Sequence, residues 1–375
     1  GTQGQVWSLE VLNEELFCGH DNGTFLITNN RASKIASEKG TWSIKSIPGD
    51  PTHLIQSNYK GFSVLEKTYN STWTYKNKIS GFDISSRFFE FSKSNEILVS
   101  HEHKGVFKIE IDSAFRRVLS FTKLPIEEGV KSSVSYHKDA ILYSYSDGVF
   151  RYDNKASTFK KDSLLSSLLS GEKYFSGRVI NDKMGNRLWG FTRDEIVYVE
   201  PGKLSGSPEV NIIPISSQMR KTKAGYENIL RLDGSNYLIG TTEGYIIIDL
   251  DKLQYKAHTI GLNMSSYNSL GSEHVFLDLV QPGDLKNEDN SVRFEYSVTN
   301  YSELVSTRYQ YRLEGIYNSW STWSEDSQVF FENLPYGEYT FQARAMTGGI
   351  ISENTIAYPF KIGKPWYLQS LALIL

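Results

Sequence analysis

"ILVSHEHKGVFKI" occupies Ile97–Ile109. It runs from an apolar stretch through a polar turn to a glycine and a second apolar stretch. The same order stands at Glu15–Ile27 as "ELFCGHDNGTFLI" and at His53–Leu65 as "HLIQSNYKGFSVL". It returns at Ile141–Tyr152 as "ILYSYSDGVFRY", at Arg187–Val199 as "RLWGFTRDEIVYV" and at Tyr237–Asp249 as "YLIGTTEGYIIID". Aligned on the turn, the anchors are Gly23, Gly61, Gly105, Gly148, Glu195 and Gly244, spaced 38 to 49 residues apart. A further strand-like run precedes each copy, such as "VWSLEV", "WSIKSI", "RFFEF" or "NILRL". A fourth follows, such as "STWTY" or "RRVLSF".

Four short strands per repeat of about 40–45 residues is the period of a β-propeller blade. One four-stranded sheet cannot cover its own apolar faces, so blades stack around an axis and bury one another. The turn glycine supplies the positive φ that a tight hairpin asks for. Glu195 cannot do so cheaply, which predicts a different turn in the fifth blade. "DSLLSSLLSGEKY" (Asp162–Tyr174) has leucines at helical spacing and predicts a short helix or loop between blades.

Composition agrees with an all-β reading. Of the 375 residues, 39% are apolar and 22% charged, enough for a core and too few charges for global disorder. Aromatics reach 13%, with 23 Tyr and 20 Phe, and such side chains suit a pleated, half-buried surface. The net charge is −3 with no long basic run, which argues against phosphate-driven binding of nucleic acid. Cys18 is the one cysteine, so a disulfide framework and a cysteine-based zinc cluster are both excluded.

From about Glu273 the repeat gives way to other strand-like runs: "HVFLDLV", "SVRFEYSV", "TRYQYRLEG", "SQVFFENL", "EYTFQARA" and "IAYPFKI". Short strands at this density predict an immunoglobulin-like β-sandwich. Alternation places Tyr309, Tyr311 and Leu313 on one face, opposite Gln310, Arg312 and Glu314. Tyr339, Phe341 and Ala343 repeat the scheme. Trp320 and Trp323 are expected to close one end of that core.

These residues carry a resemblance. The repeats, most closely "LFCGHDNGTFLI" and "YLIGTTEGYIIID", are similar to the two-component-regulator propellers of bacterial sensor proteins. The following module resembles the triple-tyrosine (Y_Y_Y) domain that follows such propellers in bacterial membrane sensors. It does so in "YQYRLEG" (Tyr309, Tyr311, Gly315), at Trp320, in "NLPYGEYTF" (Pro335, Gly337, Tyr339) and in "KPWY" (Pro365, Trp366). Phe331 departs from the family, where a tyrosine often precedes "ENLP". The resemblance implies a propeller over 1–268, with six repeats visible and seven blades as the alternative count. It implies a triple-tyrosine domain over 269–364 and the start of a transmembrane helix over 365–375.

It further implies an extracytoplasmic sensor module on the periplasmic face of a bacterial inner membrane. The output domain would be a histidine kinase or a helix-turn-helix regulator, outside this chain. A homodimer through the sandwich, membrane attachment through the downstream helix, and no nucleic acid partner in this stretch belong to the same expectation. The apolar ending "WYLQSLALIL" fits the first turns of such a helix, although it falls short of the roughly 20 residues needed to span a bilayer.

Catalytic motifs are missing: there is no H-E-x-x-H, G-x-x-x-x-G-K-[ST], G-x-G-x-x-G or G-x-S-x-G. His101 and His103 would share one side of an extended strand, at a spacing compatible with a metal, but no third ligand stands nearby. Neither metal nor cofactor is expected. "SED" (Ser324–Asp326) reads as a solvated hairpin turn. The turns between second and third strands share a face with the loops between blades, around the mouth of the central channel. They supply His20, Asp21, Asn58, Tyr59, His101, His103, Tyr145, Asp147, Arg193 and Thr242 as candidate ligand-binding residues, for an oligosaccharide or other small polar ligand. Two other readings compete with a sensor: a propeller enzyme acting on glycans, which needs a clustered acid/base set, and a surface carbohydrate-binding or adhesion protein.

Overall fold

The computed structural model describes residues 3–202, 207–253, 257–267, 275–300 and 304–368. It divides into two compact units. One comprises Gly1–Ile212 and Lys221–Ile248, the other Ile213–Arg220 and Asp249–Leu375.

The first unit holds six antiparallel sheets, each a meander in which spatial order follows chain order. Five have four strands; among the described residues the sixth has three, Ile229–Asp233, Asn236–Gly240 and Tyr245–Asp249. The first strands of the other five sheets are Val6–Leu12, Ser43–Ile47, Phe88–Lys93, Ser133–His137 and Tyr174–Asp182. Together they line one central cavity of about 730 Å³. First strands are therefore innermost, as in a propeller blade.

Second strands are largely buried because neighbouring blades cover both their faces. In Glu96–His101, Ile97 and Val99 pack with Ile55, Phe62 and Val64 of the second blade. Leu98 points the other way, to Val134, Ile141 and Tyr143 of the fourth. The repeat read from the sequence is thus the blade repeat.

The hairpin glycines are needed where they stand. Gly61 has φ +78°, and a Cβ there would run into the Phe82 carbonyl oxygen. The fifth blade solves its turn differently. Phe191 pairs with Ile196, leaving a longer loop, Thr192–Glu195, in which the Glu195 N–H donates to Thr192 Oγ1 at 3.0 Å. Ser163–Leu169 is the expected short helix. Its Leu165 N–H donates to Asp162 Oδ1 at 2.9 Å, an N-cap, and Leu165 and Leu169 pack on Leu142, Val149 and Leu188.

Two sheets each show an apolar face to solvent. Leu9 (60% exposed) and Val11 stand out from the first sheet. Leu230 (60% exposed), Leu232, Tyr245 and Ile247 stand out from the sixth. The opposite face of the sixth sheet is buried: Tyr237 packs 4.8 Å, centroid to centroid, from Trp189 of the fifth.

The second unit is a two-sheet sandwich. One sheet runs Val275–Phe276, Ile260–Tyr267, Val292–Val298, Gln328–Phe331. The other runs Gly283–Leu285, Ile356–Ile362, Gly337–Thr347, Thr307–Glu314, with Ile350–Ile351 beside Gly337–Thr347. The two sheets face each other through Phe294 and Phe341, stacked with centroids 4.0 Å apart. Tyr309 and Leu313 point inward with Tyr339, Phe341 and Ala343, as the alternation requires. Tyr311 is only partly buried, at the edge of this core. Phe331 is buried, its ring edge-on to Tyr311 at 5.9 Å.

The Tyr339 hydroxyl donates to the Pro335 carbonyl at 2.7 Å, which ties the "LPYGEY" turn together just before Gly337 begins its strand. Gly315 sits in the turn after Thr307–Glu314, at φ +107°. Pro365 accepts from the Leu368 N–H at 2.9 Å in a single helical turn, Trp366–Leu368.

Two expectations are corrected, and a third falls outside the described residues. Ile260–Tyr267 pairs with Val292–Val298, so the sandwich takes residues that the 1–268 boundary assigned to the propeller. A strand's own residues do not say which neighbour it pairs with. Trp320 and Trp323 do not close the core. They lie over the polar side chains of the outer face, with the Arg344 guanidinium 4.4 Å and 5.5 Å from their ring centroids and Arg312 4.8 Å from Trp320. Half-exposed on that face, the indoles gain cation–π contacts with the guanidiniums. Finally, the membrane helix expected over 365–375 lies outside the described residues beyond Leu368. Among the described residues no helix is long and apolar enough to cross a membrane.

Candidate functional site

Strands alternate in direction along each blade, so the starts of first strands and the second-to-third turns share one face. On that face the first strands open on aromatic or cationic residues. Trp7 begins the first blade, Trp42 precedes the second, Arg87 precedes the third and Tyr226 precedes the sixth. Trp7 and Trp42 have ring centroids 4.4 Å apart. Tyr59, from the second blade's turn, lies 5.2 Å from Trp42, and Tyr226 lies 6.2 Å from Trp7.

Arg87 holds this group together. Its guanidinium lies 3.7 Å from the Tyr226 ring centroid, 4.6 Å from Phe88 and 5.7 Å from Trp42. It also donates to the Gly225 carbonyl. Cation–π contacts of this kind contribute about 0.5–2 kcal/mol each as water is excluded. Burial pulls the Arg87 pKa down. Burial, followed by the hydrogen bond to Asp21, pushes the Tyr59 phenol up. The Tyr59 hydroxyl donates to Asp21 Oδ1 at 2.8 Å. Gly40 lets the Tyr59 ring lie flat against the backbone, since a Cβ there would overlap it. Gly225 and Tyr226 thus reach the third blade's Arg87 from the stretch that leads into the sixth.

Below this cluster the channel is charged. Lys45 pairs with Glu90 at 2.7 Å, and Glu90 also accepts the Tyr136 N–H at 3.1 Å. Arg178 stands over the Phe88 ring at 5.0 Å. Glu10 faces the same space, its carboxyl pushed up by burial and drawn back by Lys45 and Arg178.

Of the candidates read from the turns, the structure brings Asp21 and Tyr59 into the cluster. His20, Asn58 and Tyr145 are buried instead. Each is the last strand residue before a two-residue turn, so its side chain packs between strands. Asn58 donates to Thr41 Oγ1 at 3.1 Å and accepts from Ser63 Oγ at 2.6 Å. Tyr145 stacks between Tyr143 and Phe150. His101 ends its strand and His103 lies in the turn, so the two do not share a strand face. The His103 N–H donates to His101 Nδ1 at 3.1 Å, which occupies that nitrogen. Asp147 pairs with Lys161 at 3.4 Å, Arg193 donates to the Tyr174 carbonyl at 3.2 Å, and the Thr242 N–H donates to the Lys221 carbonyl at 2.9 Å. Among the described residues no cluster of three His, Cys, Asp or Glu is placed to hold a metal.

Reading turns alone missed Trp7, Trp42, Arg87 and Tyr226. Their signal was in the sequence: "VWSLEV", "TWSIKSI", "RFFEF" and "GYENILRL" each carry a large ring or an arginine just where a first strand begins.

Residues 300–363 match the Y_Y_Y domain family. Curated protein sequences yield no match. Among solved structures the fold is similar to the extracellular domain assigned to a hybrid two component system of B. thetaiotaomicron, at 17% identity and a TM-score of 0.54. That alignment covers 97% of this chain and 56% of the other. It is also similar to the extracellular domain assigned to a one component system of the same organism, at 15% identity and a TM-score of 0.47, covering 98% of this chain and 51% of the other. The chain spans about half the length of these two solved domains. In architecture the chain is a β-propeller joined to an immunoglobulin-like sandwich. The sandwich carries the Y_Y_Y domain, and the extracellular domain of a two-component sensor has the same fold.

Proposed function

We propose that this chain is the extracytoplasmic sensor module of a membrane-anchored bacterial signalling protein. The propeller takes an oligosaccharide or other small polar ligand at the Trp7–Trp42–Tyr59–Arg87–Tyr226 cluster. The Y_Y_Y sandwich passes the signal to a membrane helix on the periplasmic face. The observation that carries this reading is the cluster itself: two indoles, two phenols and a guanidinium converge at one end of a polar channel. Aromatic faces with a few convergent polar groups suit a sugar ring. The channel carboxylate Glu90 is held by Lys45 and the Tyr136 N–H, an arrangement that favours a structural and binding role over acid/base turnover.

The route of coupling follows the chain. It passes between the two units at three places, after Ile212, after Arg220 and after Ile248. Ile213–Arg220 belongs to the sandwich unit, and Lys221–Asn228, which carries Tyr226, follows it directly. A ligand that competes with Tyr226 for Arg87 and the indoles bears on that connection. A ligand shifts such an equilibrium only by its difference in affinity for the two states. The test is titration with a panel of oligosaccharides, read by tryptophan fluorescence and by the melting temperature, which a ligand bound only to the native state must raise. Binding should quench the fluorescence and weaken at least tenfold in Trp42→Ala. Binding untouched by Trp42→Ala contradicts the site, and turnover of any glycan contradicts the sensor reading.

A further inference from the structure

We propose that the channel beneath the aromatic cluster binds a small organic acid, its carboxylate seated on Arg178 and a neighbouring hydroxyl or ammonium donating to Glu10. This rests on the reading that the propeller takes a small ligand, and it names the chemistry of that ligand.

Most cations lining the channel are already engaged or exposed. Lys45 is paired with Glu90 at 2.7 Å. Arg87 is stacked on Tyr226 and bonded to the Gly225 carbonyl. Lys93 lies 3.7 Å from Glu96, and Lys183 is exposed. Arg178 differs. It lines the cavity from the middle of Tyr174–Asp182, its guanidinium contacts the face of Phe88, and among the described residues nothing stands within hydrogen-bond or ion-pair reach of it. Glu10 lines the same cavity from Val6–Leu12 and is likewise without a hydrogen bond or ion pair among the described residues.

Holding an unpaired charge away from bulk water is costly, and the cost shows in both groups. Burial pulls the Arg178 pKa down and pushes the Glu10 pKa up. Both line the same cavity and make no ion pair with each other, so a ligand in that cavity can meet both. A guanidinium presents a planar fork of donors that matches a carboxylate in bidentate fashion. A ligand carrying a carboxylate for Arg178 and a donor for Glu10 fills the space and satisfies both. Phe88 offers it an apolar floor, and the cavity of about 730 Å³ has the size of a small-molecule site. A neutral ligand of the same shape leaves the half-buried Arg178 unpaired and so binds more weakly.

The source of the acid is left to the experiment: a sugar acid brings hydroxyls to Glu10, an amino acid brings an ammonium. Isothermal titration calorimetry on the full chain uses D-glucuronate, L-serine and neutral D-glucose, with Arg178→Gln and Glu10→Gln beside the parent. Circular dichroism melts verify that both variants fold. At least one acid should bind the parent, glucose should not, and Arg178→Gln should lower the acid's affinity tenfold or more. Glu10→Gln should weaken L-serine far more than D-glucuronate if both bind, because a carboxylate pairs with an ammonium and an amide does not. The inference is overturned if neither acid binds at millimolar concentration, or if Arg178→Gln binds as tightly as the parent. Those failures leave the sensor reading standing if a neutral oligosaccharide still binds in a Trp42-dependent way; loss of that dependence would count against the sensor reading instead.

Discussion

In the proposed site, Glu10 is held for binding at the expense of folding. Its carboxyl is pushed above the ordinary value, first by burial, with Lys45 and Arg178 opposing and Glu90 adding to the rise. As pH rises, the unfolded chain releases this proton before the folded one does. Glu10 therefore contributes its full stability below the ordinary carboxyl range and loses it as pH passes through the raised value. Glu10→Gln should raise the melting temperature at pH 7, and the gain should vanish near pH 4. A lower melting temperature at pH 7 would show that the carboxylate is stabilised by its cations more than burial opposes it. In the sandwich, "YQYRLEG" was legible as an inward–outward alternation, and Leu313 is indeed fully buried. Its phase did not show that Tyr311 stops at the core's edge. Leu313→Ala should cost about 2–5 kcal/mol by chemical denaturation, and Tyr311→Ala distinctly less. Equal losses would place Tyr311 deeper than its exposure indicates.

At the scale of the element, hairpins were readable because their determinants lie within a dozen residues. Gly61 is an example: the tight turn's φ of +78° demands glycine, while the Phe82 carbonyl that also crowds it comes from farther along the chain and was not readable. Gly61→Ala should destabilise the propeller by more than the about 0.4–1 kcal/mol that such a change gains at compatible positions, measured by urea unfolding. A neutral result would mean that the turn relaxes freely. Asp162 caps the helix Ser163–Leu169 and also accepts from Arg151 Nε at 2.6 Å, so Asp162→Ala should lose at least the ~1 kcal/mol of a typical cap. Pairing across long stretches was not readable. Ile260–Tyr267, with a glycine, an asparagine and two serines, is a weak strand signal, and nothing in it names Val292–Val298 as its partner. The channel-mouth residues were hidden for a related reason. Trp7 and Tyr226 are far apart in the chain, and only closure of the blades around an axis brings them within 6.2 Å. The exposed leucines of the first and sixth sheets belong to this scale too. Leu9→Ser with Leu230→Ser should leave the melting temperature nearly unchanged and reduce self-association in sedimentation velocity, since exposed apolar patches favour association.

In the whole molecule, the proposed ligand acts at the channel mouth, and its action leaves the propeller through Lys221–Asn228. The chain order supports it: the stretch that carries Tyr226 continues straight from Ile213–Arg220 of the sandwich unit. There the Arg220 N–H donates to the Ser216 carbonyl at 2.9 Å, and the Arg220 side chain donates to the Ile215 carbonyl at 2.8 Å. Hydrogen–deuterium exchange of the full chain, parent against Tyr226→Ala, tests the connection without a ligand. Removing the Tyr226 ring takes away the stretch's stacking on Arg87 and Trp7 and leaves the Arg87 bond to the Gly225 carbonyl. Amides of Ser217–Arg220 should then exchange faster, while those of the core strand Gly337–Thr347 keep their protection. Faster exchange confined to 221–228, with Ser217–Arg220 unchanged, would contradict the account, because the channel mouth would then be uncoupled from the unit that is to carry its signal.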